Sequence, residues 1–233
     1  MTAAAGNACP PLAFFDVDET VIAVKSMVEF WEYWLASNPS PVAADVSGLR
    51  AEAAVTRDRE ALNRRYYRRY AGVPSADLEA AGRRWYDTYR RGGTAFVAAT
   101  LDALAVHRAA GHEIVLVSGS MRPLLAPLAE ELGAVAVLCT ELVVRSGGVL
   151  TGEVHRPMIG AAKAEAAVRI MRERGVDPRD CFAYGDHESD LALLRAVGGP
   201  VVVGDSRPLN EVAERSGWVV VPAHRGPLRV GSM

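Results

Sequence analysis

The chain has 233 residues, half of them hydrophobic and 23% charged, with a net charge of −2. That length suits one large domain, or a domain with a smaller insertion, and allows a sizeable core. The near-neutral balance gives no global electrostatic footprint for nucleic acid or a membrane surface, and no apolar run approaches the roughly 20 residues of a membrane helix.

In chain order, residues 1–11 lack a basic region followed by an apolar run, so they do not read as a signal peptide. Residues 12–17 (LAFFDV) follow two prolines and read as a buried parallel strand ending in acid. From 25 to 93 no convincing strand is found. Helical pieces are expected at 26–36, 43–70 and 75–91, broken at 38–41 (NPSP) and 72–74 (GVP). A helix is expected at 94–110, stopping at Gly111, then a strand at 113–117 that stops at Ser118-Gly119-Ser120. A helix at 121–132, a strand at 134–139, a glycine-centred hairpin over 142–154 and a helix at 160–174 come next. A strand at 181–184, a helix at 188–197, and strands at 200–203 and 218–221 complete the series, with 222–233 read as a poorly ordered tail. Strands alternating with helices of this length predict an α/β fold, a parallel sheet with helices on both faces.

The three cysteines, Cys9, Cys139 and Cys181, form no C-x-x-C or Cys/His cluster. Cys139 and Cys181 adjoin apolar runs and read as buried thiols, which fits a reducing cytoplasm. Only two lysines occur, Lys25 and Lys163, against 24 arginines. Most of that bias reads as genomic composition, yet it makes the two lysines worth locating. Residues 50–91 hold eleven Arg against six acidic residues, and most of these arginines read as solvated helix faces. Tyr66, Tyr67 and Tyr70 read as helix packing rather than a base-stacking platform, so nucleic acid is not an expected partner.

In open parallel sheets ligands bind at the carboxyl ends of the strands. The polar residues gathered there are Asp16 and Asp18, then Ser118, then Asp186, with Lys163 and Asp190 on nearby helices. Two acids one residue apart behind a buried strand are costly unless a cation neutralises them. Magnesium prefers such oxygen ligands, and Asp186, with Asp190 close by, can complete its shell. A carboxylate held beside the ion can attack phosphorus, and the second acid can protonate the leaving oxygen and later deprotonate water. Ser118-Gly119 at a helix start offers a hydroxyl and backbone N–H groups to an anion, and the Lys163 ammonium neutralises phosphate charge. Each motif alone is weak, since a helix cap or a surface lysine explains it as well. The ordered set is not.

These motifs resemble those of the haloacid dehalogenase superfamily of phosphohydrolases: FFDVDETV, VLVSGS, the lysine of IGAAKAEAA, and YGDHESDLALL. The resemblance covers nearly the whole chain outside 25–93. It implies a Rossmann-like core over 1–24 and 94–233, with 25–93 as a helical C1 cap of the phosphoserine phosphatase-like branch. It implies Asp16 as nucleophile, Asp18 as acid/base, and Ser118, Gly119 and Lys163 as phosphate ligands. Asp16, the Asp18 carbonyl and Asp186 hold Mg2+ in that reading, with Thr20 and Asp190 in support. Asp two residues past the nucleophile marks phosphatases in the family.

There is one departure. Phosphoserine phosphatases carry Glu nine residues after the nucleophile, to hold the substrate ammonium; here Lys25 stands there and repels one. Glu19 also replaces a small residue. An anionic or polyhydroxy phosphate monoester is therefore the expected small-molecule substrate, with Glu19, Lys25, Arg64, Arg65 and Arg68 as specificity candidates and Arg69 beside them. A phosphotransferase using the same aspartyl-phosphate is the alternative enzyme; a non-catalytic phospho-ligand module is the alternative of another class. The sequence leaves the oligomeric state open, with Trp31, Trp34 and Trp85 packing within the insertion or between subunits.

Overall fold

The computed structural model describes residues 9–38 and 58–227. The strand β1 (Leu12–Asp16) is fully buried and pairs in parallel with β3 (Glu113–Met121) on one side and β7 (Phe182–Gly185) on the other. With β4 (Ala136–Thr140), β8 (Gly199–Val203) and β9 (Val219–Val221) it forms a six-stranded sheet, order β4-β3-β1-β7-β8-β9, all parallel. The continuous apolar run of β1 follows from burial on both faces. Ala13 and Phe15 enter one core; Leu12 and Phe14 enter the other.

Helices cover each face. Leu101 and Leu104 of α4 (Ala98–Ala109) and Leu124, Leu125 and Leu128 of α5 (Arg122–Leu132) fill the first core. Ala167 and Met171 of α6 (Ala161–Arg174), Leu193 and Leu194 of the short α7 (Leu191–Leu194), and Leu209 and Ala213 of α8 (Arg207–Ser216) fill the second. The expected α/β architecture is therefore present. Its chain reversal lies at β1, with β3 and β4 to one side and β7, β8 and β9 to the other, so the crevice at the carboxyl end of β1 is the natural ligand position.

Between β1 and β2 (Phe96–Val97) the described chain is helical: α1 (Ser26–Ser37), α2 (Arg59–Arg68) and α3 (Ser75–Tyr89). Phe30, Trp31, Trp34, Tyr66, Tyr70 and Trp85 pack ring against ring inside this insertion, so the tryptophans and Tyr66, Tyr67 and Tyr70 are helix-packing residues. Where α3 meets α5, a side chain at Gly82 would lie 2.2 Å from the Pro123 carbonyl oxygen, so only glycine allows the approach. The hairpin β5 (Leu142–Arg145) and β6 (Val149–Val154) is hydrogen-bonded to the α2–α3 link: Gly72 N donates to Leu150 O (2.9 Å), Leu150 N to Val73 O (2.8 Å) and Ser75 N to Gly148 O (2.8 Å).

Several expectations change. The helix placed at 94–110 begins at Ala98, because Phe96–Val97 is a strand. It pairs antiparallel with β10 (Arg225–Gly226), inside the segment read as a disordered tail. Ala98 N donates to His224 O (2.7 Å), and Phe96 is fully buried. A two-residue strand whose partner lies near the chain end leaves no local signal. The helix at 188–197 is shorter, a 3-10 turn (Glu188–Asp190) followed by α7, and α8 fills a stretch given no element. The break at 38–41 and the start of the 43–70 helix lie largely outside the described residues. Cys139 and Cys181 are buried thiols, as expected. Among the described residues no helix is long and apolar enough to cross a membrane.

Candidate active site

Asp16 is the last residue of β1, where the strand hands its side chain to the crevice. Beyond it the chain coils once, with Thr20, Val21 and Ile22 N–H groups all turned on the Val17 carbonyl. Glu19 sits in this turn at φ 62, the one non-glycine residue with left-handed backbone among those described. Strain of that kind costs on the order of 1 kcal/mol and gathers at functional sites. The turn places Asp18 against the start of α1, where Ser26 N donates to Asp18 Oδ1 (3.1 Å).

Lys163, in the first turn of α6, is 4% exposed. Its Nζ donates to Asp16 Oδ1 and Asp190 Oδ1, both at 2.5 Å. Asp190 Oδ2 accepts from His187 N (3.1 Å), so both its oxygens are committed. Thr20 Oγ1 donates to Asp186 Oδ1 (2.8 Å). One carboxylate oxygen from each of Asp16, Asp186 and Asp190 lies within 4.8 Å of the others. Burial pushes the Asp16 carboxyl well up; Lys163 opposes that, and Asp190 and Asp186 add to it. Asp18 is raised chiefly by burial. Asp186 is pushed up to about 6, by burial first and then by Asp190. Burial alone lowers Lys163, but the charges of Asp16 and Asp190 outweigh it and keep the ammonium protonated. Four carboxyl groups gather around one ammonium, and an all-oxygen donor set of this kind fits a hard divalent cation. The cluster can thus bind a metal.

Ser118 and Gly119 come from β3, with one correction. They do not open a helix: β3 continues to Met121 and α5 starts at Arg122. The β3–β4 register shifts between Ser118 and Met121, and such an irregularity re-aims side chains. Ser120 N donates to Ser118 Oγ (3.0 Å). The Gly119 carbonyl accepts from Asn63 Nδ2 (2.8 Å), Tyr67 OH (3.0 Å) and Thr140 Oγ1 (2.9 Å).

These groups line one cavity of about 150 Å³, with Asp16, Asp18, Glu19, Lys25, Ser118, Gly119, Lys163, Asp186 and Asp190 in its wall. Thr20 supports it through Asp186. Arg64, Arg65 and Arg68 do not line it. Arg64 Nη1 donates to the Val154 carbonyl (3.1 Å), Arg68 pairs with Glu153 (3.4 Å), Arg65 is exposed, and Arg69 stacks over Trp31. The opposite face of α2 carries the lining residues instead: Arg59, Leu62, Asn63 and Tyr66. Their i, i+3, i+4, i+7 spacing is the stripe of one helix face. That signal was present in the sequence; what was missing was which face turns inward. Lys25 is in the wall but pairs with Glu19 (3.4 Å). His187 lines the cavity as well.

The family model for haloacid dehalogenase-like hydrolases matches residues 13–195, most of the chain. The protein belongs to that family. It is 32% identical over 236 residues to the "Inhibition of morphological differentiation protein" of Streptomyces azureus, covering 94% of this chain and 80% of that one. It is 28% identical over 234 residues to a phosphoserine phosphatase of Mycobacterium tuberculosis, covering 94% and 75%. Its fold is similar to that of a phosphoserine phosphatase solved as a phospho-aspartyl intermediate analogue, with a TM-score of 0.67, 20% identity, and 93% and 95% of the two chains covered. Within its family the chain is a phosphatase, a phosphoric monoester hydrolase.

Proposed function

We propose that the protein hydrolyses a small-molecule phosphate monoester in two steps, through a phospho-aspartyl intermediate on Asp16, with Mg2+ as cofactor. The observation that carries the reading is the Lys163 ammonium, buried and held 2.5 Å from both Asp16 and Asp190, beside Asp18 and Asp186 in one cavity. A core built only for stability would not gather four acids, two of them buried, around one base.

Asp16 and Asp186 are the side chains that would hold the ion, with the Asp18 carbonyl; Asp190 is committed to Lys163 and His187. Bound there, Mg2+ supplies charge neutralisation for the phosphoryl oxygens and the acids. The chain's own groups do the rest. Lys163 and the Ser118 hydroxyl orient the phosphoryl group. An Asp16 oxygen attacks phosphorus and the bond to the ester oxygen breaks. Asp18, whose burial favours its protonated form, gives its proton to the leaving oxygen, so an alcohol departs. Asp18, now a carboxylate, takes a proton from water. The water oxygen attacks phosphorus, the bond to Asp16 breaks, and inorganic phosphate leaves. The domain reading, 25–93 as a cap over a core of 1–24 and 94–233, is supported by the position of α2, whose inner face lines the cavity.

The test is phosphate release from a panel of phosphomonoesters, with Mg2+ and with EDTA. Magnesium-dependent release that drops by more than a thousandfold in Asp16→Asn is expected, a loss of the order seen for covalent nucleophiles. Near-normal turnover by that variant would end the mechanism.

A further inference from the structure

His187 stands between two acids of the site, and its backbone serves the second of them. Its N–H donates to Asp190 Oδ2 (3.1 Å), and its carbonyl accepts from Asp190 N (2.8 Å). The turn is tight: a side chain at Gly185 would lie 2.6 Å from Asp190 Cβ. The imidazole adds a third tie. Ser189 N donates to His187 Nδ1 (3.1 Å), and the Ser189 hydroxyl lies 3.1 Å from the same nitrogen. Asp186 comes directly before this turn. Asp190 at its end holds Lys163, which in turn holds Asp16. A loosened turn therefore disturbs Asp186 directly and Asp16 through the ammonium.

The ring has a second nitrogen. A backbone N–H can only donate, so Nδ1 accepts with its lone pair and the ring proton sits on Nε2. The two nitrogens open to opposite sides of the ring, so Nε2 faces away from the turn that Nδ1 caps. It has no hydrogen-bond partner among the described residues, and His187 lines the catalytic cavity. Capping alone calls for Ser, Thr, Asp or Asn, the residues preferred at such positions. Each of those is shorter and ends at the capping group. Imidazole caps equally at Nδ1 and carries a neutral donor beyond it.

We propose that His187 serves the reaction with both ring nitrogens: Nδ1 holds the 186–190 turn in shape for the metal ion, and Nε2–H donates to an oxygen of the bound phosphate ester. This rests on the phosphatase reading above. The oxygen belongs to the phosphoryl group or to the alcohol half, and the test separates them.

Asparagine and glutamine each reproduce one end of the ring. Asn puts an acceptor where Nδ1 stands and nothing beyond it; Gln puts a donor where Nε2 stands and nothing at Nδ1. Calorimetry on the substrate-free protein gives the Mg2+ affinity without any turnover. KM, kcat and inhibition by inorganic phosphate are measured at saturating Mg2+. His187→Asn is expected to keep the Mg2+ affinity and to raise KM about tenfold, the worth of one hydrogen bond. His187→Gln is expected to weaken Mg2+ binding about tenfold, as for a lost partner of a metal ligand, and to keep most of the substrate affinity. His187→Ala loses both. If inhibition by inorganic phosphate weakens together with KM in His187→Asn, the acceptor is a phosphoryl oxygen. If KM rises and that inhibition holds, the acceptor is an oxygen of the alcohol. A His187→Asn protein in which neither changes overturns the donor role, and a His187→Gln protein with wild-type Mg2+ affinity overturns the capping role. A wild type that binds Mg2+ but releases phosphate from no ester ends the phosphatase reading and the donor role with it, while the Mg2+ titrations still decide the capping role.

Discussion

Replacing Asp186 by Asn should make the metal-free protein more stable. Burial, then the charge of Asp190, raises its carboxyl from an ordinary 3.8 to about 6. A carboxyl whose pKa is raised on folding binds its proton more tightly in the folded chain. Folding stability therefore falls as pH rises from about 4 to 6, and the full penalty stands above 6. The gap is about two units at ~1.4 kcal/mol each, a ceiling near 3 kcal/mol; partial exposure reduces it to about 2 kcal/mol. Asn keeps the shape, and its Oδ1 still accepts the Thr20 hydroxyl that Asp186 accepts at 2.8 Å. In EDTA at pH 7.5, Asp186→Asn should thus gain about 2 kcal/mol, or roughly 4–8 °C in Tm for a chain of this size. The gain should close as pH falls toward 4. Magnesium should invert the ranking, because only the wild type gains binding energy, about 2.7 kcal/mol at a hundredfold excess over Kd. Thermal and chemical denaturation with and without Mg2+, between pH 5 and 8, measure all three effects. A variant less stable than the wild type in EDTA at pH 7.5, or a difference that ignores pH, would refute the reasoning.

Two further outcomes are expected from the scaffold. Gly82→Ala puts a methyl 2.2 Å from the Pro123 oxygen; the loss from forcing α3 off α5, about 1–3 kcal/mol net of helix propensity, should appear as a lower denaturation midpoint, and a neutral result would show that the helices slide freely. His107 is 5% exposed, between His112 (2.8 Å) and the Tyr184 hydroxyl (2.9 Å), and burial lowers it to about 4 from 6.5. The unfolded chain takes up that proton first, so stability present above pH 6.5 should decline by up to about 3 kcal/mol as pH falls to 4; His107→Phe should flatten the titration in that window, and an unchanged slope would assign it to other groups.

The parts of the site legible in the sequence were those that follow the apolar runs of central strands. Asp16, Asp18 and Asp186 lie at the ends of β1 and β7, where the sheet fixes their position; Ser118 follows such a run too, although β3 continues past it to Met121. Lys163 was legible from its place on a helix near that edge of the sheet; the scarcity of lysine in this chain only set it apart from an ordinary surface lysine. The face of α2 was not legible. Arg59, Asn63 and Tyr66 form one stripe and Arg64, Arg65 and Arg68 another, and both contain arginine; the choice is made by Tyr66 and Tyr70 packing on Phe30 and Trp31 and by Glu153 drawing Arg68 outward. Those contacts join residues 35 or more apart, beyond any local pattern. The pairing of β2 with β10 was hidden for the same reason.

The three hydrogen bonds on the Gly119 carbonyl explain why that hidden face matters to the chemistry. Two of the donors, Asn63 and Tyr67, belong to α2, and one, Thr140, to β4. A carbonyl has two lone pairs, so three donors leave its peptide no freedom to rotate. The N–H of that same peptide is Ser120's, and it occupies one lone pair of Ser118 Oγ. With its acceptor side engaged from behind, the Ser118 hydroxyl is left to donate forward. The insertion also grips the other side: Ser26, at the start of α1, donates through N to Asp18 and through Oγ to Ser120 (2.9 Å). Ser118 and Asp18, the proposed phosphate donor and the proposed proton carrier, are thus both set by helices of the insertion rather than by the sheet alone. Asn63 is one of the two α2 donors that hold this peptide. Asn63→Leu should therefore slow phosphate release from every ester alike, by about tenfold in kcat, the worth of one hydrogen bond, through the loosened Gly119 peptide. A variant with the wild-type kcat would show that Tyr67 and Thr140 hold the peptide without it.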